Sequence, residues 1–424
     1  MKANLLKTFQ TLRVKSGVAL HYFARMLRGE ITPRQYVALL RRLNLFLSKL
    51  RHNKFASAAG GRVRLDLYVP DYPSRAFWTA ADKFKRFGGE RFPCATVLMS
   101  VTKACAFKCP HCYQRRDNGP DAPIERLVET ARALQEQGVA FFNIEGGEPF
   151  LAYERLKTLC AAIDGRSEIW INTTGMGVTA ERLRELKPDA LMFSLHGATP
   201  AELNAFMGRD DAWELMSQGI AACREAGARV AFNSCLAGSD FRDGSFEKLM
   251  DVAKNFGASL VQIIKPKPAG AWLGKGGELF GAEDSRVAVA KINDYNLAPR
   301  YAEYPAISAQ IIEESPPVFG CTAGGTDRFY INAKGDVQPC EFLNISFGNI
   351  NDETIGAILP RMRAAFAVPG TAMLCEQSAE KIANICAAHS LETLPLPPDL
   401  SREVIGNWLP GPPTELYEKA ARMK

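Results

Sequence analysis

The segment that decides the fold is ATVLMSVTKACAFKCPHC, residues 95–112, in which a short apolar run leads directly into three closely spaced cysteines. The run is short enough for a strand and too continuously apolar for a strand with one solvent face, so it predicts a strand buried on both faces of a sheet. Cys105, Cys109 and Cys112 follow it. Thiols this close together bind a metal, pair as disulfides or serve as reactive groups.

Five further apolar runs of the same kind follow along the chain. They are VAFFNI (139–144), EIWIN (168–172), DALMFSL (189–195), RVAFNSC (229–235) and SLVQII (259–264). Amphipathic helical patterns separate them, the clearest of which starts near Ile124 and ends at Gly138. Six strand–helix units with right-handed crossovers predict an α/β fold, a partial (βα)6 barrel similar to an incomplete TIM barrel. In that architecture ligands bind where strands end and loops begin.

The composition is that of an ordinary globular protein with room for two or three domains, with 424 residues of which 47% are hydrophobic and 23% charged. The 11 cysteines are an odd number, and the N-terminus lacks the pattern of a secretory signal. We therefore expect a reducing cytoplasm, in which cysteines are metal ligands or buried apolar residues more often than disulfides. No apolar stretch approaches the roughly 20 residues needed to cross a bilayer.

The net charge of +6 is concentrated at the N-terminus. Residues 1–54 contain twelve basic residues against a single acid, Glu30. An apolar and basic helix is expected over about 5–27, and Thr32-Pro33 is a good start for a second one. Six apolar residues then recur at helical spacing: Tyr36, Leu40, Leu43, Phe46, Leu47 and Leu50.

Two interpretations of this basic segment stay open. It is either a helical cap on the main domain, with a solvated basic face, or an amphipathic arm that lies peripherally on the anionic inner face of the membrane. About five basic residues near the lipid would contribute roughly 5 kcal/mol of reversible, salt-sensitive binding. Nucleic acid is not an expected partner, because the leucine-rich spacing favours a lipid or protein contact over a phosphate backbone.

The cysteine loop follows the first predicted strand, and the segment NIEGGEPF (143–150) ends the second one at the same edge of the sheet. A structural zinc site would normally add a fourth Cys or His nearby. Three cysteines on one loop suit a cubane iron–sulfur cluster whose fourth iron stays open to another ligand. Gly146 and Gly147 would let backbone groups approach a ligand closely, and Glu148 offers a carboxylate to a cationic amine. A tight turn with a solvated acid is the alternative.

The three cysteines after the first strand, together with Gly-Gly-Glu-Pro at 146–149, resemble the radical S-adenosylmethionine (radical SAM) superfamily. The resemblance implies an enzyme, of oxidoreductase type, in which Cys105, Cys109 and Cys112 bind a catalytic [4Fe-4S] cluster. It further implies that the open iron chelates S-adenosylmethionine (SAM), with the Gly-Gly-Glu segment at the SAM amino group. An electron from a donor such as flavodoxin or ferredoxin would then cleave SAM to a 5′-deoxyadenosyl radical, which abstracts hydrogen from a substrate.

Other positions match the family less closely. His111 stands where relatives have an aromatic residue against the SAM adenine. Asn172 or Thr173, at the end of the third strand, is implied on the ribose side, and Ser194 after the fourth strand as a SAM contact. His196 stands where an acid is common, and either proton transfer or a positioned hydrogen bond is open to it.

A second group of cysteines lies near the C-terminus. The stretch CTAGGTDRFYINAKGDVQPCEFLNISFGNI (321–350) resembles the start of the SPASM and Twitch extensions, which hold auxiliary iron–sulfur clusters. The sequence lacks the dense CxxC-x5-CxxxC run of a full SPASM domain, so we expect one auxiliary [4Fe-4S] cluster, with His389 as a substitute ligand. Its four expected ligands are Cys321, Cys340, Cys375 and Cys386. The remaining cysteines are expected to be buried apolar residues: Cys94, Cys160, Cys223 and Cys235.

These features divide the chain into five parts. They are a basic helical arm (1–60), a linker with short strands (61–91), the radical SAM partial barrel (92–300), an auxiliary-cluster domain (301–390) and a proline-rich tail (391–424). The basic arm favours a lipid-like or membrane-associated substrate, whereas the SPASM and Twitch resemblance favours a peptide- or protein-modifying maturase. A non-catalytic iron–sulfur electron carrier is the remote alternative.

Overall fold

The computed structural model describes residues 2–85, 95–274, 280–324, 326, 328–366, 369–406 and 408–423. Its N-terminal part consists of α1 (Lys2–Leu27), α2 (Pro33–Lys49), the antiparallel hairpin β1 (Ala56–Ala58) and β2 (Arg62–Arg64), and α3 (Arg75–Asp82). α2 begins as predicted, because Thr32 and Gln35 form a reciprocal capping box and Pro33 occupies the first turn. In the described part of the chain no helix is long and apolar enough to cross a membrane.

All six predicted barrel strands are confirmed to within two residues of their expected ends. They are β3 (Thr96–Ser100), β4 (Phe141–Glu145), β5 (Glu168–Thr173), β6 (Ala190–Ser194), β7 (Val230–Cys235) and β8 (Leu260–Ile264), paired in chain order and in parallel. The intervening helices are α4 (Ile124–Glu136), α5 (Tyr153–Ala161), α6 (Ala180–Leu186), α7 (Pro200–Met207), α8 (Ala212–Ala226), α9 (Ser245–Asn255) and α10 (Ala282–Leu297). Leu127, Ala131 and Leu134 of α4 are fully buried, as the helical pattern predicts.

The central sheet is wider than six strands. β9 (Ala306–Ala309), which leads into α11 (Gln310–Glu313), pairs in parallel with β8, and β10 (Arg328–Ile331) pairs in parallel with β3 at the other side. β11 (Val337–Gln338) completes a hairpin with β10, so the nine strands run β11-β10-β3-β4-β5-β6-β7-β8-β9. The expected boundary near residue 300 therefore does not separate two sheets, because β9 and β10 both hydrogen-bond to barrel strands.

The C-terminal part is helical: α12 (Ile355–Ala365), α13 (Leu374–Ala388), α14 (Pro398–Ile405) and α15 (Glu415–Arg422). α14 and α15 lie within the predicted proline-rich tail, which is thus partly helical. α15 returns to the N-terminal helices, where Leu416 and Tyr417 join a second apolar core with Leu43 and Phe46 of α2. Lys49 of α2 also joins the two helices, because it forms an ion pair with Glu415 of α15.

The linker between α2 and β3 closes the end of the barrel where the strands begin. The Arg64 side chain is buried, forms ion pairs with Asp71 and Glu168, and lies 4.5 Å from the ring centroid of Trp170. A buried arginine is stable only when its charge is paired in this way. The other end of the barrel, where the strands finish, is the end that remains open.

Candidate active site

A cavity of about 510 Å³ lies at the carboxyl ends of the barrel strands. Each of the six predicted strands supplies a lining residue within three residues of its end: Lys103, Glu145, Asn172, Ser194, Asn233 and Ile264. Parallel strands bring their carboxyl ends to one edge, which is why residues from six separate segments meet here. The expectation that ligands bind at this edge is therefore matched by a cavity large enough for a small-molecule ligand.

The three cysteines of the first loop all line this cavity. Cys105 is exposed and Cys109 and Cys112 are half-buried. The loop is fixed by its backbone: the N–H of Lys108 donates to the carbonyl of Met207 at 2.9 Å, and the N–H of Ala271 donates to the carbonyl of Cys112 at 3.0 Å. The thiols are thus presented to the cavity by a loop anchored on both sides.

Burial raises the pKa of Cys109 to about 12, and the neighbouring Cys112 and Cys105 add to the effect. The pKa values of Cys105 and Cys112 are also raised, mainly because their thiols are partly desolvated, although Cys105 as a residue is exposed. Without a metal these thiols are therefore protonated at neutral pH, and metal binding would release their protons. Cys112 contributes to the raised pKa values of both Cys105 and Cys109, and all three thiols line the same cavity.

Within the described residues, no three His, Cys, Asp or Glu side chains converge closely enough to hold a single metal ion. A single zinc ion needs such convergence, because its ligands surround one point. A [4Fe-4S] cluster does not, because each cysteine binds a different iron of the cube. Three thiols spread around an open cavity therefore fit the cluster better than they fit zinc.

The Gly-Gly-Glu segment runs in contact with the cysteine loop. The N–H of Gly147 donates to the carbonyl of Thr102 and the N–H of Glu148 to that of Ala104, both at 2.8 Å. A Cβ atom added to Gly147 would lie 2.3 Å from the carbonyl oxygen of Ala104, and one added to Gly146 would lie 2.4 Å from that of Thr102. Glycine is required at both positions because the two backbones touch, and both glycines line the cavity.

The Glu148 side chain does not lie where the sequence predicts. It is fully buried and is not among the residues that line the cavity. Its carboxylate accepts hydrogen bonds from the Thr173 hydroxyl (2.8 Å), from the backbone N–H (2.7 Å) and hydroxyl (2.6 Å) of Thr174, and from the N–H of Phe150 (3.1 Å). Burial raises the pKa of Glu148. The predicted contact between this carboxylate and a cationic amine is thus replaced by an anchor that ties the β4 loop to the end of β5.

Glu145, the residue before the two glycines, lines the cavity instead. One feature of the sequence could have indicated it, its position directly after a predicted strand. Asn172, predicted on the ribose side, donates its amide hydrogen to Glu145 at 3.0 Å. Burial, more than any other influence, raises the pKa of Glu145 to about 8. At neutral pH this carboxyl is therefore mostly uncharged.

The histidines predicted at the site form one aromatic wall. The rings of His111 and His196 lie 4.5 Å apart edge to face, and Phe206 lies 5.0 Å from His111. Burial lowers the pKa of His111 to about 4 and, together with His111, lowers that of His196. The N–H of Cys235 donates to Nδ1 of His196 at 3.1 Å, so the neutral ring carries its proton on Nε2. A positioned, uncharged hydrogen-bonding role for His196 fits this geometry better than proton transfer.

Ser194 and Thr173, for which the resemblance implies SAM contacts, line the cavity. Lining residues that sequence reasoning missed include Asn233, Lys265, Lys267 and Trp272. Asn233 lies two residues before the end of a predicted strand and Lys265 directly follows another, so their positions were a usable signal. Trp272 lies in a segment with no strand or motif, and only the fold brings it to the cavity.

A second, small cavity of about 20 Å³ brings together three of the C-terminal cysteines, Cys321, Cys340 and Cys375. Cys386 does not line it. It lies eleven residues after Cys375 on α13, which places it about 16 Å further along the helix axis. His389, the expected substitute, is exposed at the end of the same helix.

Buried charges surround this small cavity. Lys267 pairs with Glu314 at 3.2 Å, and Arg328 pairs with Glu314 at 2.5 Å and lies 3.8 Å from Glu341. Although burial opposes it, Lys267 and Arg328 lower the pKa of Glu314 to about 2. Burial raises the pKa of Cys375 to about 12 and also raises those of Cys321 and Cys340. The donor set of three thiols fits an iron–sulfur cluster.

The other cysteines behave largely as predicted. Cys160, Cys223 and Cys235 are buried. Cys235 additionally lines the large cavity. Cys94 lies outside the described residues.

Comparison with known protein families agrees with this geometry. A family model described as the radical SAM superfamily matches residues 99–253, which contain the cysteine loop and the Gly-Gly-Glu segment. A second model, SPASM, described as an iron–sulfur cluster-binding domain, matches residues 321–387, which contain the second group of cysteines.

Individual relatives are distant. The chain is similar to the AdoMet-dependent heme synthase of Nitratidesulfovibrio vulgaris, with 24% identity over 61% of this chain and 77% of the relative. It is similar to the PqqA peptide cyclase of Streptomyces rochei, with 28% identity over 58% of this chain and 69% of the relative. Among solved structures, Streptococcus suis SuiB bound to its precursor peptide SuiA matches with a TM-score of 0.52 and 16% identity, over 67% of this chain and 69% of SuiB. The last similarity supports the fold alone.

Proposed function

Because the chain belongs to the radical SAM superfamily and carries a SPASM-type iron–sulfur domain, we propose that it abstracts hydrogen from a lipid-like or membrane-associated substrate. It is an enzyme whose cofactors are a [4Fe-4S] cluster, SAM and auxiliary iron–sulfur. The chemistry rests on the convergence of three thiols and six strand ends on one cavity. The substrate class rests on an exposed apolar face of α1.

The residues of the large cavity would divide the work as follows. Cys105, Cys109 and Cys112 would hold the catalytic cluster, which supplies, when bound, the electron that cleaves SAM to a 5′-deoxyadenosyl radical. Backbone groups of Gly146 and Gly147 would approach the SAM methionine part, since no side chain stands in the way.

The cavity wall would set the environment of the bound cofactor. Asn172, Ser194 and the uncharged His111 would contact the nucleoside part of SAM, because they lie at successive strand ends or on the cysteine loop. The rings of His111 and His196, which pack against Phe206, would exclude water from the radical, because water in that space would allow side reactions.

α1 has two apolar faces. Val14, Val18 and Tyr22 are buried against the body of the protein. Six large apolar side chains on the opposite face are 42–72% exposed: Leu6, Phe9, Leu12, Leu20, Phe23 and Leu27. At 100° per residue these six fall within an arc of about 120° and extend over about 32 Å of the helix. We call this set the α1 stripe. Such an exposed apolar face is typical of a binding surface.

The apolar pattern in the sequence is clearest on α2, but the exposed apolar face of the arm lies on α1. The apolar face of α2 is used internally, because Leu43, Phe46 and Leu50 are buried in the second core. Of the two interpretations of the arm, the helical cap describes α2, whereas contact with a membrane would involve the outer face of α1. The pattern could not separate the two, since both helices are apolar and basic.

Exposed basic side chains in the arm favour an anionic lipid surface as the partner of this face. Four exposed cations in the arm make no ion pair with an acid among the described residues: Lys15, Arg34, Arg41 and Arg51. The ring of Phe23 contacts that of Tyr36 at 6.0 Å, so the α1 stripe runs beside the N-terminal half of α2, where Arg34 and Arg41 are exposed. Apolar insertion combined with basic residues is the pattern of interfacial helices.

Flotation on vesicles tests this proposal. The anaerobically reconstituted protein should float with vesicles that contain phosphatidylglycerol, less with phosphatidylcholine alone, and less at high salt. The double variant Leu20→Ser, Leu27→Ser should stay in the dense fraction. Leu409→Ser is a matched control, because Leu409 and Leu27 are both 72% exposed and Leu409 lies outside the arm. Equal flotation of the double variant and the control would refute the membrane surface.

A peptide-modifying activity is the second candidate, and the similarity to a PqqA peptide cyclase favours it. The two candidates differ in what the α1 stripe does for turnover. With a lipid-like substrate, the Leu20→Ser, Leu27→Ser variant should cleave SAM normally without substrate but lose vesicle-dependent 5′-deoxyadenosine formation. Stimulation by a co-encoded short peptide, unchanged in that variant, would favour the peptide maturase.

A further inference from the structure

We propose that the auxiliary cluster is held by only three cysteines, Cys321, Cys340 and Cys375, and that one of its irons has no thiolate ligand. Four cysteines in the matched domain would be enough for full ligation. The structure brings three of them to one cavity and leaves the fourth elsewhere. The inference concerns the auxiliary site alone and does not depend on the substrate.

The three thiols reach the cavity from separate elements. Cys321 follows α11, and its N–H donates to the carbonyl of Gly370 at 2.9 Å. Cys340 follows β11, and the N–H of Phe342 donates to its sulfur at 3.5 Å. Cys375 lies in the first turn of α13. Three fixed segments that deliver a thiol to the same small space form a built site.

Cys386 cannot join them without loss of secondary structure. The helical rise over the eleven positions from Cys375 to Cys386 holds it about 16 Å away along the axis of α13. It is buried, and its carbonyl accepts a hydrogen bond from the N–H of Leu391 at 2.8 Å. Ligation by both Cys375 and Cys386 would require about three turns of α13 to unwind.

The charges around the cavity agree with a three-cysteine site. The two buried cations there, Lys267 and Arg328, are already paired with carboxylates, chiefly Glu314. Lys267 also lies 3.2 Å from Glu376. A fourth thiolate would add one more negative charge to a buried cluster. Among the described residues around it, these two cations are already paired with carboxylates. A buried charge without a partner is costly, so a cluster with three thiolates fits these surroundings better than one with four.

The small cavity adjoins the large one, because Lys267 and Phe342 line both. An iron without a thiolate is held only by the cluster sulfides and whatever small ligand binds there. Mild oxidation should therefore release that iron and leave a three-iron cluster. A cluster with four cysteines should resist this loss.

Iron counting on the full chain tests the ligand set. After anaerobic reconstitution the unsubstituted protein and Cys386→Ala should both hold about eight irons, and Cys375→Ala about four. Cys94→Ala should also keep about eight, which excludes the one cysteine outside the described residues. Loss of about four irons in Cys386→Ala or Cys94→Ala would overturn the proposal.

A second measurement leaves position 386 untouched and so does not depend on whether its variant folds. In the triple variant Cys105→Ala, Cys109→Ala, Cys112→Ala, only the auxiliary cluster remains. Brief oxidation with ferricyanide should produce the EPR signal of an oxidised three-iron cluster, and ferrous iron with thiol should restore the four-iron form. A cluster that stays intact under this oxidation would be fully ligated, and the proposal would be wrong.

Discussion

The two trios of cysteines offer the same donor atoms in opposite surroundings. Cys105, Cys109 and Cys112 face a cavity of about 510 Å³, whereas Cys321, Cys340 and Cys375 enclose about 20 Å³. The first site has room for a ligand of the size of SAM beside its metal, whereas the second has room for a small ligand at most. The same donor set therefore suits an open, substrate-sized site in one place and an enclosed cluster in the other.

The two sites also deal with charge differently. At the large cavity, two buried groups are kept uncharged: the pKa of His111 is lowered to about 4 and that of Glu145 is raised to about 8, both by burial. At the small cavity the charges are kept and paired, as for Glu314 with Lys267 and Arg328. Substitutions that remove a charge should therefore be tolerated at the first site and damaging at the second.

The largest effect is expected from Cys109→Ala. Removing one of three ligands should prevent assembly of the catalytic cluster, so 5′-deoxyadenosine formation should fall to background and iron from about eight to about four per chain. Cys160→Ala, a buried cysteine outside both trios, is the control and should keep both values. Residual SAM cleavage in Cys109→Ala would mean that the two sites share their role. Chromatography of products and iron analysis provide the measurements.

The second-largest effect is expected on stability, where loss of a buried, paired charge should cost more than loss of a solvated one. Lys267→Met removes one partner of a buried ion pair and should lower the free energy of unfolding by about 3–5 kcal/mol. Lys103→Met removes an exposed lysine that lines the large cavity and should change it by less than about 0.5 kcal/mol. Anaerobic urea unfolding compares them. Equal, small effects would remove the distinction between the two sites.

A smaller effect is expected from Glu148→Gln. An amide has one acceptor oxygen and places an NH2 group where the N–H of Thr174 must donate, so about 3 kcal/mol of stability should be lost. SAM binding should weaken along with it, because the β4 loop is no longer tied to β5. Glu154→Gln, an exposed acid in the next helix, is the control. Normal stability with loss of SAM binding alone would restore the direct amine contact that the sequence predicts.

The sequence was sufficient to predict the parts of the fold that local pattern encodes. The six continuous apolar runs predict buried strands, and their carboxyl ends predict the cavity edge, because parallel pairing leaves few arrangements. The pairing of β10 with β3 could not be predicted, since it joins Arg328 to Thr96 across more than two hundred residues. No local pattern records such a contact.

The sequence predicted about as much of the candidate site as it predicted of the fold. Cysteine spacing and the two glycines identify the loop that would carry the metal. The direction of the Glu148 side chain depends on hydrogen bonds from Thr173 and Thr174, and these are set by the register of β4 against β5. Whether Cys386 can join the other thiols depends on the helix between 375 and 386. In both cases tertiary geometry selects among residues of the right chemical type.

The smallest predicted effect is a pH dependence at Glu145. An unfolded chain ionises this residue near pH 4.3, whereas burial holds the folded pKa at about 8. Between these values only the unfolded state releases the proton, so Glu145 lowers the stability of the protein increasingly as pH rises. Glu145→Gln cannot ionise and should gain about 2 kcal/mol relative to the unsubstituted protein between pH 6 and pH 8.

Glu136→Gln is the matched control for this pH series. Arg166 lowers the pKa of the exposed Glu136, so that group stays ionised throughout the same range and its variant should show no change with pH. Unfolding in urea at pH 6, 7 and 8 measures both. If the two variants run parallel, Glu145 is charged in the folded protein, and the large cavity, like the small one, holds a charge that some partner must balance.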